Sequence, residues 1–416
     1  MYRYARSMLF PPAMIAAVWA ITIATIWMTG DLYFPLTNRA LEIVIVGIIA
    51  FSAGGVLAVS APRSRGKKIS DATPLRRRQI DRLLNWTVVL MVLDIPFFLM
   101  YLKSLSGSIA PRESMWKQVR IASNKANVTG GGVSHIESMI LPFLSIAALI
   151  AVCEYADSGE KRWRTVLIVV LAAAYQMANG ARSEVLLVLV SCVVVLWLRR
   201  GVPPTRMLLG VGVTFLIVFA VNQVAMRKYG AGPGASIGDN LPAVAEGFGT
   251  YWLGGIIAFD QNRQNPELRF GWSLGKFATR IVDKFGANLP ERDRNLDYTK
   301  ISPTQITNVY TIFLPFYMDH GGMLGVAWLM AFVGFVAVYV YRCAIHGTTW
   351  AVFMAGALVF ATLMTIFSEE FFAQIMFWIK AGLVSMLVYH LPPLHLERPA
   401  DIEIGLEPLP VGVISA

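Results

Sequence analysis

The chain has little charge for its length and very little sulfur chemistry. Only 15% of its 416 residues are Asp, Glu, Lys or Arg, while 56% are hydrophobic and the mean hydropathy is +0.57. That balance excludes an ordinary soluble globular domain. The three cysteines, Cys153, Cys192 and Cys343, lie in or beside apolar blocks and form no CxxC pair, so neither a disulfide framework nor a metal site is expected from them. No GxxxxGK[ST] loop, HExxH or GxSxG occurs, and Gly230-Ala-Gly-Pro-Gly-Ala235 is turn chemistry rather than a nucleotide cradle. Nucleotide-driven chemistry is set aside on that ground, and no cofactor, metal or nucleic acid is expected. There is also no internal repeat of roughly 20–50 residues and no strand-like alternation, which argues against a solenoid, a duplicated transporter and a barrel.

What the chain does have is apolar residues gathered in blocks of roughly 20, each long enough as a helix to cross a hydrocarbon core of about 30 Å. The expected fold is all-α, a polytopic membrane helical bundle with spans at 9–29, 39–61, 83–103, 136–156, 165–179, 183–199, 206–226, 320–342, 348–367 and 371–390. The first run follows Arg3 and Arg6, is too long for a signal-peptide core, and reads as a retained anchor. Lys and Arg crowd the connection 62–82 and recur at Lys161, Arg162, Arg164, Arg199, Arg200 and Arg206, which assigns these connections and both termini to the cytoplasmic side. The connections 31–37, 103–135, 179–184, 227–319 and 368–370 then face outward. The tail from Leu391 to residue 416 reads as a disordered cytoplasmic extension.

The outward connections are unexpectedly basic. Arg112 and Arg120 lie in the first long one, and Arg269 and Arg280 in the long, aromatic-rich segment 227–319. Solvation with attraction to headgroups would explain them, and so would bidentate binding of a phosphate or pyrophosphate. Within 227–319, Phe270, Leu274, Phe277, Ile281 and Phe285 share a helical face beside a stripe of Lys276, Arg280 and Lys284. This is the pattern of an interfacial amphipathic helix. Tyr251 to Asp260 is apolar but too short to span, and reads as a re-entrant or interfacial segment.

Few side chains in or near the spans can carry chemistry. Arg182, where the sixth span begins, is either a snorkelling anchor or a phosphate clamp aided by the positive end of that helix. Glu184 either orients Arg182 or serves as a base. Asp319 reads as the N-cap of the eighth span or as a general base, with His320 a weaker candidate, and Tyr310 and Asn308 lie in the same stretch. Asp94 and Lys380, near the middle of their spans, are expected to face the interior and pair, and Arg39 and Glu42 to form a local pair.

Four stretches carry a resemblance: Tyr33-Phe-Pro-Leu-Thr37, Gly180-Ala-Arg-Ser-Glu-Val-Leu186, Tyr251 to Asp260, and Thr307 to Gly325. Through them the chain resembles the Wzy-type O-antigen and oligosaccharide repeat-unit polymerases. The resemblance implies a bacterial inner-membrane glycosyltransferase, similar in architecture to O-antigen ligases. Such an enzyme moves a growing glycan from undecaprenyl pyrophosphate onto an incoming lipid-linked repeat unit without a metal. It further implies that Arg182, Arg269 and Arg280, with Arg112 or Arg120, hold the pyrophosphate. Asp319-His320-Gly321 matches the family's Asp-x-Gly pattern, with His320 at the variable position. Asp319 first and Glu184 second would accept the acceptor's proton. The partners implied are undecaprenyl-pyrophosphate-linked oligosaccharide, membrane lipids and a chain-length regulating co-polymerase. An O-antigen ligase and a polysaccharide flippase or transporter stay open as alternatives.

Overall fold

A computed structural model describes residues 9–62, 64, 66–106, 135–178, 182–201, 209, 212–213, 217, 220, 237–264 and 298–392. These form an all-α protein of eleven α-helices with one minimal hairpin. The helices are α1 (Pro11–Thr29), α2 (Asn38–Ser60), α3 (Pro74–Ser106), α4 (His135–Ser158), α5 (Arg162–Ala178), α6 (Arg182–Arg200), α7 (Ile237–Asn262), α8 (Phe313–Asp319), α9 (Met323–Ile345), α10 (Thr349–Met364) and α11 (Ile375–His390). The hairpin pairs β1 (Thr299–Lys300) with β2 (Ile306–Thr307), antiparallel, in the register Thr299 to Thr307. Among the described residues, α1 with its following turn, α2, α3, α4 and α9 are long and apolar enough to cross a membrane. The apolar α10 and α11 are shorter. The expected seventh span, 206–226, and the tail from residue 393 lie almost wholly outside the described residues.

Local chemistry explains where the helices begin and end. Pro11 and Pro12 open α1, where their missing N–H groups cost nothing, and Gly30, at φ 53°, closes it. Thr37 caps α2, its hydroxyl accepting from the Ala40 N–H at 3.3 Å. The centre of the bundle is the α2–α9 pair, which packs backbone against backbone. A methyl group on Gly54 would overlap the carbonyl oxygen of Ala331, and one on Gly334 would overlap that of Phe51. Trp19, Phe51, Phe313, Phe316, Phe353 and Phe360 fill the space around this pair.

One end of the bundle is basic. There Arg77 and Arg199 share the Asp157 carboxylate at 3.1 and 2.7 Å, and the Tyr389 hydroxyl donates to Glu154 at 2.8 Å. Arg76 donates to the last carbonyls of α11, Val388 at 2.6 Å and Leu387 at 2.9 Å, where the helix dipole favours a cation. Arg164 and Lys161 both pair with Asp81.

Two expectations need revision. Asp94 and Lys380 do not pair with each other. Arg76 joins α3 to α11 at the basic end, but farther along α3 Asp94 lies beside the Tyr175 hydroxyl of α5, which donates to the Met91 carbonyl at 2.8 Å. The second concerns Tyr251 to Asp260, which is no short interfacial piece. It forms the C-terminal part of the 26-residue α7, and Leu253, Ile256, Ile257, Ala258 and Phe259 are buried in the core. Arg39 and Glu42 do pair, at 2.8 Å, on an exposed turn of α2.

Candidate functional site

The end opposite the basic one is built from α7, the hairpin, α8 and the connection between α10 and α11. The C-terminal half of α7 packs here through Trp252, whose ring meets Phe367 edge-on at 5.9 Å, and through Phe259, which meets Phe313 and Tyr317. The Ile312 N–H donates to the Thr365 carbonyl at 2.9 Å, and Thr365 also accepts from the Trp19 indole at 3.1 Å. Gln305 after the hairpin turn reaches α7 twice, donating to Glu246 at 2.9 Å and accepting from Thr250 at 3.0 Å. Burial, with the nearby Glu246 charge, raises the Tyr33 phenol above its ordinary value of 10.0.

Asp260 is the anchor of this layer. Its carboxylate accepts from the Thr37 backbone N–H at 2.7 Å and from the Thr37 hydroxyl at 2.6 Å, and it pairs with Arg263 at 2.9 Å. Only 2% of the Asp260 side chain is exposed. A charge at that depth persists when a countercharge and several donors satisfy its oxygens, as they do here. The contact joins two segments that are 223 residues apart in the chain. Alongside it, Asn262 donates to the Thr299 hydroxyl at 2.6 Å, and that hydroxyl lies 2.7 Å from the Tyr310 hydroxyl. Tyr310 is buried in this contact, while Asn308 is half-buried in the extended stretch before it.

Asp319 does not cap the following helix. It is the last residue of α8, and Gly321 and Gly322 follow at φ 85° and 73°, a left-handed turn open to glycine. The cap of α9 is Gly322, with no side-chain hydrogen bond, and the Gly322 N–H donates back to the Tyr317 carbonyl at 2.8 Å. The expected start of the eighth span at residue 320 therefore moves to Met323. Asp319 is half-buried, and the His320 ring stands edge-on to Trp328 with centroids 5.6 Å apart.

Glu184, in the first turn of α6, belongs to a carboxylate cluster. Its Oε1 accepts from the Gln374 amide at 2.9 Å, and the same amide donates to Glu370 Oε2 at 3.1 Å. Glu370 Oε1 accepts from the Ser368 hydroxyl at 2.8 Å. Glu369 accepts from the backbone N–H groups of Phe372 and Ala373 at 2.7 and 3.3 Å, and burial pushes its carboxyl up to about 8. Phe372 in turn meets Phe316 at 6.1 Å, which ties the cluster to α8. Glu369, Glu370 and Gln374 were not among the expected site residues. The sequence signal was available in the adjacent acids Glu369 and Glu370 in a short turn between two apolar runs, where unpaired charge is costly.

Residues of all four stretches singled out in the sequence thus meet at the same end of the bundle, the second stretch through Glu184, together with the acidic turn 368–370. Arg112, Arg120, Arg269 and Arg280 lie outside the described residues, as does the expected helix from Phe270 to Phe285. Arg182 opens α6, but its side chain lies outside the described residues, so its expected orientation by Glu184 does too. Among the described residues, no three His, Cys, Asp or Glu side chains are grouped to hold a metal ion. Chemically, the site offers carboxylates of two kinds. Asp260 is committed to a cation and a helix cap, whereas Glu184 and Glu370 share one neutral amide, a setting suited to proton exchange. The chain matches no protein-family model, no curated protein and no solved structure.

Proposed function

We propose that the chain is a lipid-donor glycosyltransferase, a Wzy-type polymerase of undecaprenyl-pyrophosphate-linked repeat units. In this reading ten spans cross a bacterial inner membrane, both termini are cytoplasmic, and the Asp260 end faces the periplasm. The observation that carries the proposal is the bonding of Tyr33–Thr37 to Tyr251–Asp260 through Thr37 and Asp260, at the end that also holds Glu184 and Asp319. Segments distant in sequence and alike in their resemblance share one face, as a composite active site requires.

The chemistry follows from the groups assigned. Arg182, Arg269 and Arg280, with Arg112 or Arg120, hold the donor pyrophosphate. They stabilise the negative charge that grows on it as the glycosidic C–O bond breaks, an effect worth several kcal/mol when the donors are preorganised. The hydroxyl of the incoming unit attacks the anomeric carbon, its proton passes to Asp319 or Glu184, and undecaprenyl pyrophosphate departs with the bonding electrons. Binding both lipid-linked partners at one mouth supplies the proximity.

The test is reconstitution. Purified chain in detergent should elongate lipid-linked repeat units without nucleotide or metal, and Arg280→Ala should abolish the glycan ladder at unchanged protein level. A ladder of normal length from that variant removes Arg280 from the site. A deletion strain that retains a single repeat unit on its lipid core supports the polymerase, and one that retains none makes the chain a ligase.

A further inference from the structure

Two neighbouring helices at the basic end carry the same series of side chains down an exposed face. On α5 the series is Lys161 and Arg162, just before and at its start, then Trp163, Val166 and Val170, with Trp163 70% exposed. On α3 it is Arg78 and Arg82, then Trp86, Val89 and Leu93, at spacings that keep them on one side, with Trp86 64% exposed. The helices are locked together at this level by the pairs of Lys161 and Arg164 with Asp81. They are joined again about three turns deeper, where Tyr175 donates to the Met91 carbonyl.

The α5 side of this face is shallow and open. An open groove of about 880 Å³ runs along it, lined by Lys161, Arg162, Trp163, Val166, Leu167 and Val170. Two cations therefore stand at the head of a shallow groove whose other described lining residues are apolar. The charge is unbalanced as well. Arg78, Arg82, Lys161, Arg162 and Arg164 outnumber the carboxylates Asp81 and Glu160, and Asp81 is already engaged by Lys161 and Arg164. The turn is shaped for this. Lys161 adopts φ 56°, a conformation uncommon for a residue with a side chain, and its ammonium closes on Asp81 while Arg162 stays exposed.

A ligand that complements such a face has a compact anionic head and a long apolar chain. Tryptophan stands where headgroups meet hydrocarbon, and each Lys or Arg near an anionic surface is worth roughly fivefold in affinity. We propose that the α3–α5 face binds an anionic glycerophospholipid of the surrounding bilayer, with its phosphate against Arg162 and an acyl chain along Trp163, Val166 and Val170. Arg78 and Arg82 complete the positive field around the head. The site lies at the end of the bundle away from Asp260. It rests on α5 lying in the membrane beside the span-length α3, as the proposed ten-span arrangement has it, and does not depend on the polymerase chemistry.

Native mass spectrometry of the purified full chain tests this, using phosphatidylglycerol and phosphatidylcholine with matched acyl chains. The wild-type chain should retain phosphatidylglycerol at concentrations where phosphatidylcholine is lost. Arg82→Gln with Arg162→Gln should weaken that retention at least tenfold. Lys67→Gln with Lys68→Gln removes the same charge from exposed positions of the neighbouring connection and should change retention less than twofold. Trp163→Ser should weaken retention of phosphatidylglycerol with both arginines in place. If the first double variant is lost in purification, Arg162→Gln alone, at an exposed position in the first turn of α5, should weaken retention about fivefold. Equal retention of the two lipids overturns the proposal, as does equal weakening by the two double variants, which would mean diffuse charge attraction only.

Discussion

The two ends of the bundle handle charge differently. At the basic end, ion pairs run between helices: Arg77 and Arg199 meet on Asp157, Lys161 and Arg164 meet on Asp81, and Arg76 closes the end of α11. At the Asp260 end, the ion pairs among the described residues are local, Arg263 with Asp260 and Arg39 with Glu42. Glu184, Glu369 and Glu370 instead accept hydrogen bonds from an amide, a hydroxyl and backbone N–H groups. At the basic end, long-range contacts thus tie down part of the charge. At the other, Glu184 and Glu369 are held by an amide and by backbone N–H groups, where the free energy of ionisation can be changed by an arriving charge.

The sharpest way to break the comparison is at Asp260. Asp260→Ala would leave Arg263 largely buried without its countercharge and the Thr37 cap without its acceptor. It should cost about 3–5 kcal/mol, read as a lowered unfolding temperature in detergent. Asp157→Ala, at the basic end, also strands two arginines. There Arg77 is 31% exposed and has Glu154 within 3.8 Å, so the loss should be about 1–2 kcal/mol by the same measurement. If the second substitution costs more than the first, the ranking of the two ends is reversed.

The subtlest test concerns Glu369. In the folded chain its carboxyl holds the proton up to about pH 8, against an ordinary value of 4.5. The folded state therefore binds more protons than the unfolded state across that window, and stability falls as pH rises through it. Glu369→Gln keeps an acceptor for the Phe372 N–H and removes the titration. Relative to wild type, the variant should gain stability as pH rises toward 8 and lose that advantage toward pH 4.5. A difference that does not change with pH would mean that Glu369 keeps its charge in the fold.

How much of this could be read from the sequence depended on the range of the interaction. Helices occupy most of the expected stretches because apolar run length is a local property, as at Asn38–Ser60 against the expected 39–61. The Arg39–Glu42 pair was legible for the same reason, being set by helical spacing alone. Helix α7 was not legible in full. Its N-terminal half carries Asp239, Asn240 and Glu246 and reads as loop, so only the last turns showed as an apolar segment. Asp319 was misleading, since Asp before two glycines fits the end of one helix as well as the start of the next. The Glu184–Gln374–Glu370 cluster depends on two residues 190 positions apart, and no local pattern brings them together. The same is true of Thr37 and Asp260, although each lies in a stretch that carries the resemblance.

The glycine contact between α2 and α9 has a mechanical consequence. A carbonyl oxygen seated against a bare α-carbon on each helix gives the pair two reciprocal detents. Sliding one helix along the other by a single residue would drive a side chain into backbone. The two helices therefore form a stiff beam through the molecule. Breathing at the Asp260 end thus falls to the segments laid across the helix ends rather than to the α2–α9 pair. Those segments can yield while the beam holds the frame in which they move.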